Sequence, residues 1–454
     1  MRSSLVNLLL ICIFHFGVSN TSNSEKVSSK NVTVHWYFGN ETGETVATSN
    51  NFNKIFPEEE QVTVVLPSVQ EEFDWDIPFA RLLPEWRGLD EIKPGAFDNL
   101  PQLESFIVIR NNLTEIKTGT LTNLNISHID LSSNSIIRLQ QGAFKNISAD
   151  LMELDNNQLT EILNDVFENV TIGNLSLTNN GLHTIAPEAL STIGLTSLWL
   201  FENSFEEINP EVFNMQELIS LNLGFNSIKL LRPGDLRNLP ELSELMLWSN
   251  ELEEIPEGVF NATKLTYLDL SGNKIVKIAS KAFDDMPELG KLDISFNNLT
   301  RWDNNWLSGA KSIAYISVGY NQITGIPDEA FKNYPGVKSI GLEGNRIRNI
   351  SNNAFNKLEH VEVLDLSNNE IDNWNPNFLA NVSIGIIDLS DNNLECIDGD
   401  LETVFRNSGS IYLENNPWNE ECYAHISEFI GEDDEEQYFE DYDMEQVPYH
   451  INEI

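Results

Sequence analysis

One hydrophobic pattern recurs along most of this chain. An apolar residue is followed by others three and five positions on, an Asn at eight and another apolar residue at ten, or L-x-x-L-x-L-x-x-N-x-L. Leu195, Leu198, Leu200, Asn203 and Phe205 make one copy; Leu265, Leu268, Leu270, Asn273 and Ile275 make another. The Asn stands at 111, 134, 157, 180, 203, 226, 250, 273, 297, 321, 345, 369, 392 and 416, in steps of 23 or 24 residues. The alternation predicts a short strand in each repeat, apolar side chains inward and intervening ones outward. Each Asn carries donors and an acceptor. Stacked in register, it is expected to satisfy backbone groups of its own and neighbouring repeats, a structural role and not a catalytic one.

Ten residues past the Asn comes a further apolar anchor. It is Phe97, Phe144, Phe167, Phe213, Phe260, Phe283, Phe331 or Phe355 in some repeats, and Leu121, Leu190, Leu236, Leu307 or Leu379 in others. These predict a spine packed on the convex side. No repeat of this size buries its apolar face alone, so stability comes from stacking, and the ends need covers.

This spacing resembles the extracellular, typical-length leucine-rich repeat family over roughly residues 79–418. The resemblance implies an α/β solenoid: a curved horseshoe with a parallel concave sheet, short helical or irregular convex segments, and N- and C-terminal caps. A degenerate first copy uses Phe79, Leu82, Leu89 and Ile92, with Arg87 in the Asn position. Residues 20–78, with strand-like runs at 32–38 and 62–66, read as an N-terminal cap, though without the cysteines that family caps often carry. Asn416-Pro417-Trp418 followed by Cys422 resembles the start of the family's C-terminal cap, here 392–430 and overlapping the last repeat. That cap commonly has more than one disulfide; one bridge, Cys396 to Cys422, is expected here.

The N-terminus bears on compartment. Met1-Arg2, an apolar stretch from Leu5 to Phe16 and the small residues Gly17-Val18-Ser19 read as a secretory signal over 1–19, too short for a membrane span. No later run suggests a transmembrane or lipid anchor, so a secreted, extracellular protein is expected. Sequons agree: Asn20, Asn31, Asn40, Asn112, Asn125, Asn146, Asn169, Asn174, Asn261, Asn298, Asn349 and Asn381 each begin N-x-S/T. Asn174 falls on the concave side; Asn146, Asn169, Asn261 and Asn381 are expected just before strands, on lateral or convex surface. In an oxidising compartment the pair Cys396 and Cys422 most simply forms a disulfide, since Cys12 leaves with the signal.

Charge narrows the partner. Lys and Arg number 27 against 70 Asp and Glu, a formal net charge of −43. Such a surface repels phosphate backbones and anionic lipid, so nucleic acid and membrane surfaces are poor partners and a basic protein a better one. Part of the charge sits in residues 431–454, an acidic tail expected to be disordered. Tyr438 and Tyr442 within it resemble tyrosine-sulfation sites, and the stretch loosely resembles acidic tails with which some blood-feeder inhibitors occupy a basic protease exosite.

On the outward concave positions the candidate chemistry is aromatic. Trp199, Phe201, Phe225, Trp248, Tyr267, Phe296, Tyr315 and Tyr320, with Met246 beside them, are predicted to form a partner-binding patch rimmed by Glu202, Glu244, Asp269 and Asp293. Aromatic packing that only stiffens the sheet is the alternative. Asp130, Asp269, Asp293, Asp365 and Asp388 occupy a slot where the resembled family often carries Asp. The histidines are scattered, no zinc spacing or cofactor motif appears, and no nucleophile elbow, metalloprotease motif or P-loop is present. The acid pairs Asp269/Asp293 and Asp365/Asp388 are expected to lie on an open sheet that desolvates neither. No enzyme, metal or cofactor is therefore expected. A protein-binding factor of innate-immune recognition or the cell surface is the leading reading; a tail-borne inhibitor and a matrix protein are the alternatives.

Overall fold

The computed structural model describes residues 103–430 apart from Ala262, residues 91, 92 and 94, and four strands nearer the N-terminus. The expected signal cleavage region, the first degenerate repeat except Ile92, Phe97, the sequons at 20, 31 and 40, and the tail with Tyr438 and Tyr442 lie outside the described residues. The chain divides into two compact units, one running to Leu299 with Asn305–Ile316, the other comprising Thr300–Asn304 and Ser317 onward.

Both units are parallel-sheet solenoids with little helix. In the first, strands at Leu103–Ile107, Leu121–Asp130, Phe144–Glu153, Phe167–Ser176, Ser197–Trp199, Ser220–Asn222, Glu244–Met246, Tyr267–Asp269 and Lys291–Asp293 pair in sequence order, all parallel. Equivalent positions stay in register: Leu175, Leu198, Leu221, Leu245, Leu268 and Leu292 face one another along the core. In the second unit Ser339–Gly341, His360–Asp365, Ser383–Asp388 and Ser408–Tyr412 do the same.

The Asn ladder does what the sequence predicts. Oδ1 of Asn226 accepts from the backbone of Phe205 in the preceding repeat at 2.9 Å. Its Nδ2 faces the carbonyls of Leu223 and Gly224 in its own repeat and Leu200 in the one before. Asn134, Asn157, Asn250, Asn273, Asn345, Asn369 and Asn392 repeat the arrangement. Being buried, each replaces water for backbone groups that would otherwise cost about 1–3 kcal/mol unsatisfied.

The convex spine is also present. Phe144 stacks on Phe167 and Phe260 on Phe283 in the first unit, and Phe331 on Phe355 in the second, at 5.4, 5.8 and 5.7 Å between ring centroids. Leu121, Leu190, Leu236, Leu307 and Leu379 are buried in the equivalent places.

In three repeats the convex connection is extended, neither helical nor irregular. The strands Leu121–Asp130, Phe144–Glu153 and Phe167–Ser176 run unbroken from the spine residue to the concave face. Two residues past each spine residue stands Asn123, Asn146 or Asn169 with φ near +54°. Asn tolerates this left-handed conformation better than most residues, so the chain kinks there and continues extended. Later repeats carry Pro near this segment instead, as in Met286-Pro287 and Tyr334-Pro335, and form turns. Asn146 and Asn169 thus lie inside strands, not before them as expected. They form an exposed amide ladder, Asn169 to Asn146 to Asn123, at 2.8 and 2.9 Å.

At the N-terminal side, Leu8–Ile13 pairs antiparallel with Val32–Phe38 and parallel with Val62–Val65; the latter pairs with Leu103–Ile107. Val32–Phe38 also forms a hairpin with Glu41–Ala47. The two strand-like runs of the sequence are therefore strands, and the apolar stretch read as the heart of a signal is a strand as well. At the other end, the helix Glu420–Ile430 is tied to the last repeats by the Cys396–Cys422 disulfide, Cα atoms 5.4 Å apart, and by Phe429 against Phe405.

Candidate partner-binding face

Register decides which outward side chains meet. In the first unit one row holds Asn174, Ser197, Ser220, Glu244, Tyr267 and Lys291, and the next holds Ser176, Trp199, Asn222, Met246, Asp269 and Asp293. Beyond the strand ends come Phe201, Gly224 and Trp248.

Three of the predicted aromatics form one group. Trp248 lies edge-to-face on Phe225 at 4.7 Å between centroids and tilts against Phe201 at 6.2 Å. Gly224 makes this possible, since a Cβ there would stand 2.4 Å from the indole. Tyr267 belongs to a separate polar group: its hydroxyl donates to Asp269 at 3.2 Å, and the Lys291 ammonium stands 4.8 Å from the ring centroid. Trp199, Met246 and Tyr315 are half-buried on the same unit, and Phe296 is exposed. Tyr320, the ninth predicted residue, is exposed on the second unit, where its ring covers Gly344.

A further regularity escaped the sequence reading. The residue just before each ladder Asn has a left-handed backbone. Where that residue is Asn156, Asn179, Asn368, Asn415, Gly272 or Gly344, the conformation costs little. Phe225, Phe296 and Tyr320 occupy the same slot with φ of 48°, 53° and 51°. They are 50%, 57% and 45% exposed, so core packing does not explain why bulky rings stand there.

The acids behave differently from the expected rim. Oδ1 of Asp269 accepts from the backbone and hydroxyl of Ser271 at 2.9 and 2.7 Å. Asp293, Asp365 and Asp388 hold Ser295, Ser367 and Ser390 in the same way. This Asp-x-Ser turn is structural. Asp269 is buried, which corrects the expectation that the open sheet desolvates neither member of the pair. Burial raises its carboxyl above the ordinary range and Asp293 adds to the rise, against the bonds from Ser271 and Tyr267. Asp388 is raised chiefly by burial too.

A second concave group, at His128, Asp130, Glu153 and Asp155, was missed because histidines were read along the sequence and not across strands. Its signal was present: His128 and Asp130 share a strand face, and Glu153 takes the Asp130 slot one repeat on. Nε2 of His128 lies 2.6 Å from Oε2 of Glu153. Burial works to lower the His128 imidazole, but the hydrogen bond and charge of Glu153 outweigh it and the net shift is upward. Asp155 accepts from the Ser176 hydroxyl and Thr178 backbone, and burial still pushes it up to about 6.

Of the sequons, Asn112, Asn125, Asn146, Asn169, Asn261, Asn349 and Asn381 are exposed, whereas Asn174 and Asn298 are half-buried. The Asn174 amide donates to the Asp150 carbonyl at 3.1 Å on the concave side.

Two family models divide the chain. One described as leucine rich repeat matches 193–247, 240–299, 287–347 and 335–394; the other, the BspA type leucine rich repeat region, matches 85–190. These are leucine-rich repeats. The border between the two leucine-rich repeat types coincides with the change from ten-residue strands to three-residue strands in the first unit. No curated protein matches the sequence.

Among solved structures, a leucine-rich repeat protein of Leptospira interrogans is 26% identical with a TM-score of 0.61, over 73% of this chain and 82% of that one. A chain of the glycosylated Toll–Spatzle complex of Drosophila is 20% identical, with a TM-score of 0.59, over 79% of this chain and 50% of that one. The other form of that complex gives 19% and 0.57, over 82% and 52%. The Drosophila likeness is one of fold. Leucine-rich repeat solenoids are characteristically interaction scaffolds, and no helix among the described residues is long and apolar enough to cross a membrane.

Proposed function

We propose that this protein is a secreted, non-enzymatic binding factor that recognises another protein through its concave leucine-rich repeat face. The observation that carries the reading is the placing of the large rings of Phe225 and Phe296, exposed, in left-handed backbone that Asn or Gly fills in six other repeats and Arg110, Ser133, Glu202, Ser249 or Asp391 in five. Strained conformations of order 1–3 kcal/mol persist where something else compensates, and binding sites are where they cluster. Phe201, Phe225 and Trp248 supply a ring cluster of the kind that anchors protein interfaces.

The partner has an apolar centre and basic surroundings. Many of the bases on the solenoid lie in ion pairs between neighbouring repeats, such as Arg232–Glu207, Arg237–Glu211 and Lys264–Glu241, which leaves an anionic surface. Secretion rests on the apolar N-terminal stretch, the sequons and the cysteine pair. A role in innate-immune or cell-surface recognition is supported by the likeness of fold to a chain of the Toll–Spatzle complex, a molecular hub in Drosophila development and innate immunity. The test is the Trp199→Ala/Trp248→Ala double variant in a pull-down beside a variant lacking residues 431–454. Loss of the bound protein from the first alone supports the concave face. Loss on removal of the tail alone replaces this reading with the tail-borne inhibitor.

A further inference from the structure

On the strands Leu121–Asp130 and Phe144–Glu153, three metal-ligating side chains converge. One donor atom each of His128, Asp130 and Glu153 lies within 4.8 Å of the other two. Register produces the convergence: Asp130 stands directly opposite Glu153, and His128 is two residues back on the same outward face. The side chains are half-buried, those of His128 and Glu153 being 22% and 29% exposed, so the group is held by the sheet and still reached from solvent.

An ion pair between His128 and Glu153 accounts for two of these groups. Asp130, whose Oδ1 accepts from the Ser132 backbone at 2.8 Å, still faces Glu153 as a cross-strand like charge, an unfavourable pairing. Ligands at about 2.0–2.2 Å from a tetrahedral metal stand about 3.3–3.6 Å apart, a spacing between the 2.6 Å of the His128–Glu153 contact and the 4.8 Å that spans the group. Asp155 is a neighbour and not a ligand: the converging donor atoms are those of His128, Asp130 and Glu153, and Asp155 is turned to Ser176 and Thr178.

We propose that His128, Asp130 and Glu153 form a binding site for a divalent transition metal ion of the zinc type, with its remaining coordination position open on the concave surface. The imidazole selects the class: calcium and magnesium take shells of oxygen ligands, whereas a mixed nitrogen and carboxylate set suits zinc or cobalt. Three protein ligands with a water completing the shell is the form of an open zinc site, not a closed structural one.

The site is tested on the full chain by calorimetric titration with zinc, and by the visible spectrum after cobalt addition. Wild-type protein is expected to take up one ion with the d–d bands of a four- or five-coordinate cobalt site. His128→Gln and Glu153→Gln are each expected to weaken that site by about tenfold or more. Glu153→Gln keeps the size and hydrogen-bonding reach of the side chain, so it separates loss of a ligand from loss of fold. Absence of saturable binding and of cobalt bands in wild type overturns the proposal, as does binding unchanged in both variants.

Discussion

Trp248 meets Phe225 edge to face, 4.7 Å between ring centroids, across consecutive repeats. Neither ring is where a repeat built for stability alone would put it: Phe225 stands in left-handed backbone, and Trp248 lies over a glycine. Gly224→Ala tests this contact. The added Cβ would stand 2.4 Å from the indole, so Trp248 must swing out. Overpacking of this kind costs about 1–3 kcal/mol in a closed core, and the lower end is expected for a half-buried ring. Denaturant unfolding checks the cost. Partner binding is expected to fall more than stability does.

Phe296→Asn is expected to do the reverse. Asn suits φ of 53° better than Phe, and the ring is 57% exposed. Unfolding should require about 0.5–1 kcal/mol more free energy, while partner binding weakens. A destabilised variant would mean that the ring is held there by packing.

The ladder predicts a larger loss. Asn226→Ala leaves the Phe205 N–H and the Leu200 and Leu223 carbonyls short of a partner. A cost of about 2–4 kcal/mol is expected, with hydrogen-exchange protection lost first in the repeats on either side. An equal loss of protection along the whole first unit would contradict the nearest-neighbour picture.

Acidification should stabilise the folded chain. Asp155, Asp269 and Asp388 have folded pKa values above the ordinary carboxylate range, with Asp155 at about 6. The folded state therefore binds protons that the unfolded state does not, and the stability Asp155 adds is complete below about pH 4 and lost as pH rises through about 6, with Asp269 and Asp388 acting in the same direction. In chelator-treated protein, unfolding followed from pH 7 to 5 should show this rise. Asp269→Asn should lessen the rise, with Asp155 still contributing, and leave Ser271 an acceptor.

Cys422→Ser removes a link between residues 26 apart in sequence. Loop-closure entropy makes this worth about 3 kcal/mol, so the melting temperature under non-reducing conditions should drop, with the helix Glu420–Ile430 leaving first. Reducing agent should bring wild type down to the variant.

The repeat, its ladder and its spine were legible because Asn226, Leu221 and Phe260 recur at fixed spacing and each needs its neighbours' copies to be satisfied. The outward positions of Trp248 and Phe225 followed from strand alternation. What sequence could not supply was side-chain and backbone detail: that Asp269 turns back onto Ser271 and that Phe225 holds a left-handed backbone. The kink at Asn123, Asn146 and Asn169 was written in the sequence too. Its meaning depended on whether the chain stays extended past it, and it does, with Leu124, Ile147 and Val170 buried.

The central claim is that the concave aromatic cluster, and not the tail, holds a protein partner. The most direct measurement is quantitative capture from the native extracellular fluid on wild-type protein, the Trp199→Ala/Trp248→Ala variant and the chain lacking 431–454. A protein retained by wild type and by the truncated chain but lost from the double variant is the predicted result. Equal retention by the double variant would contradict the account.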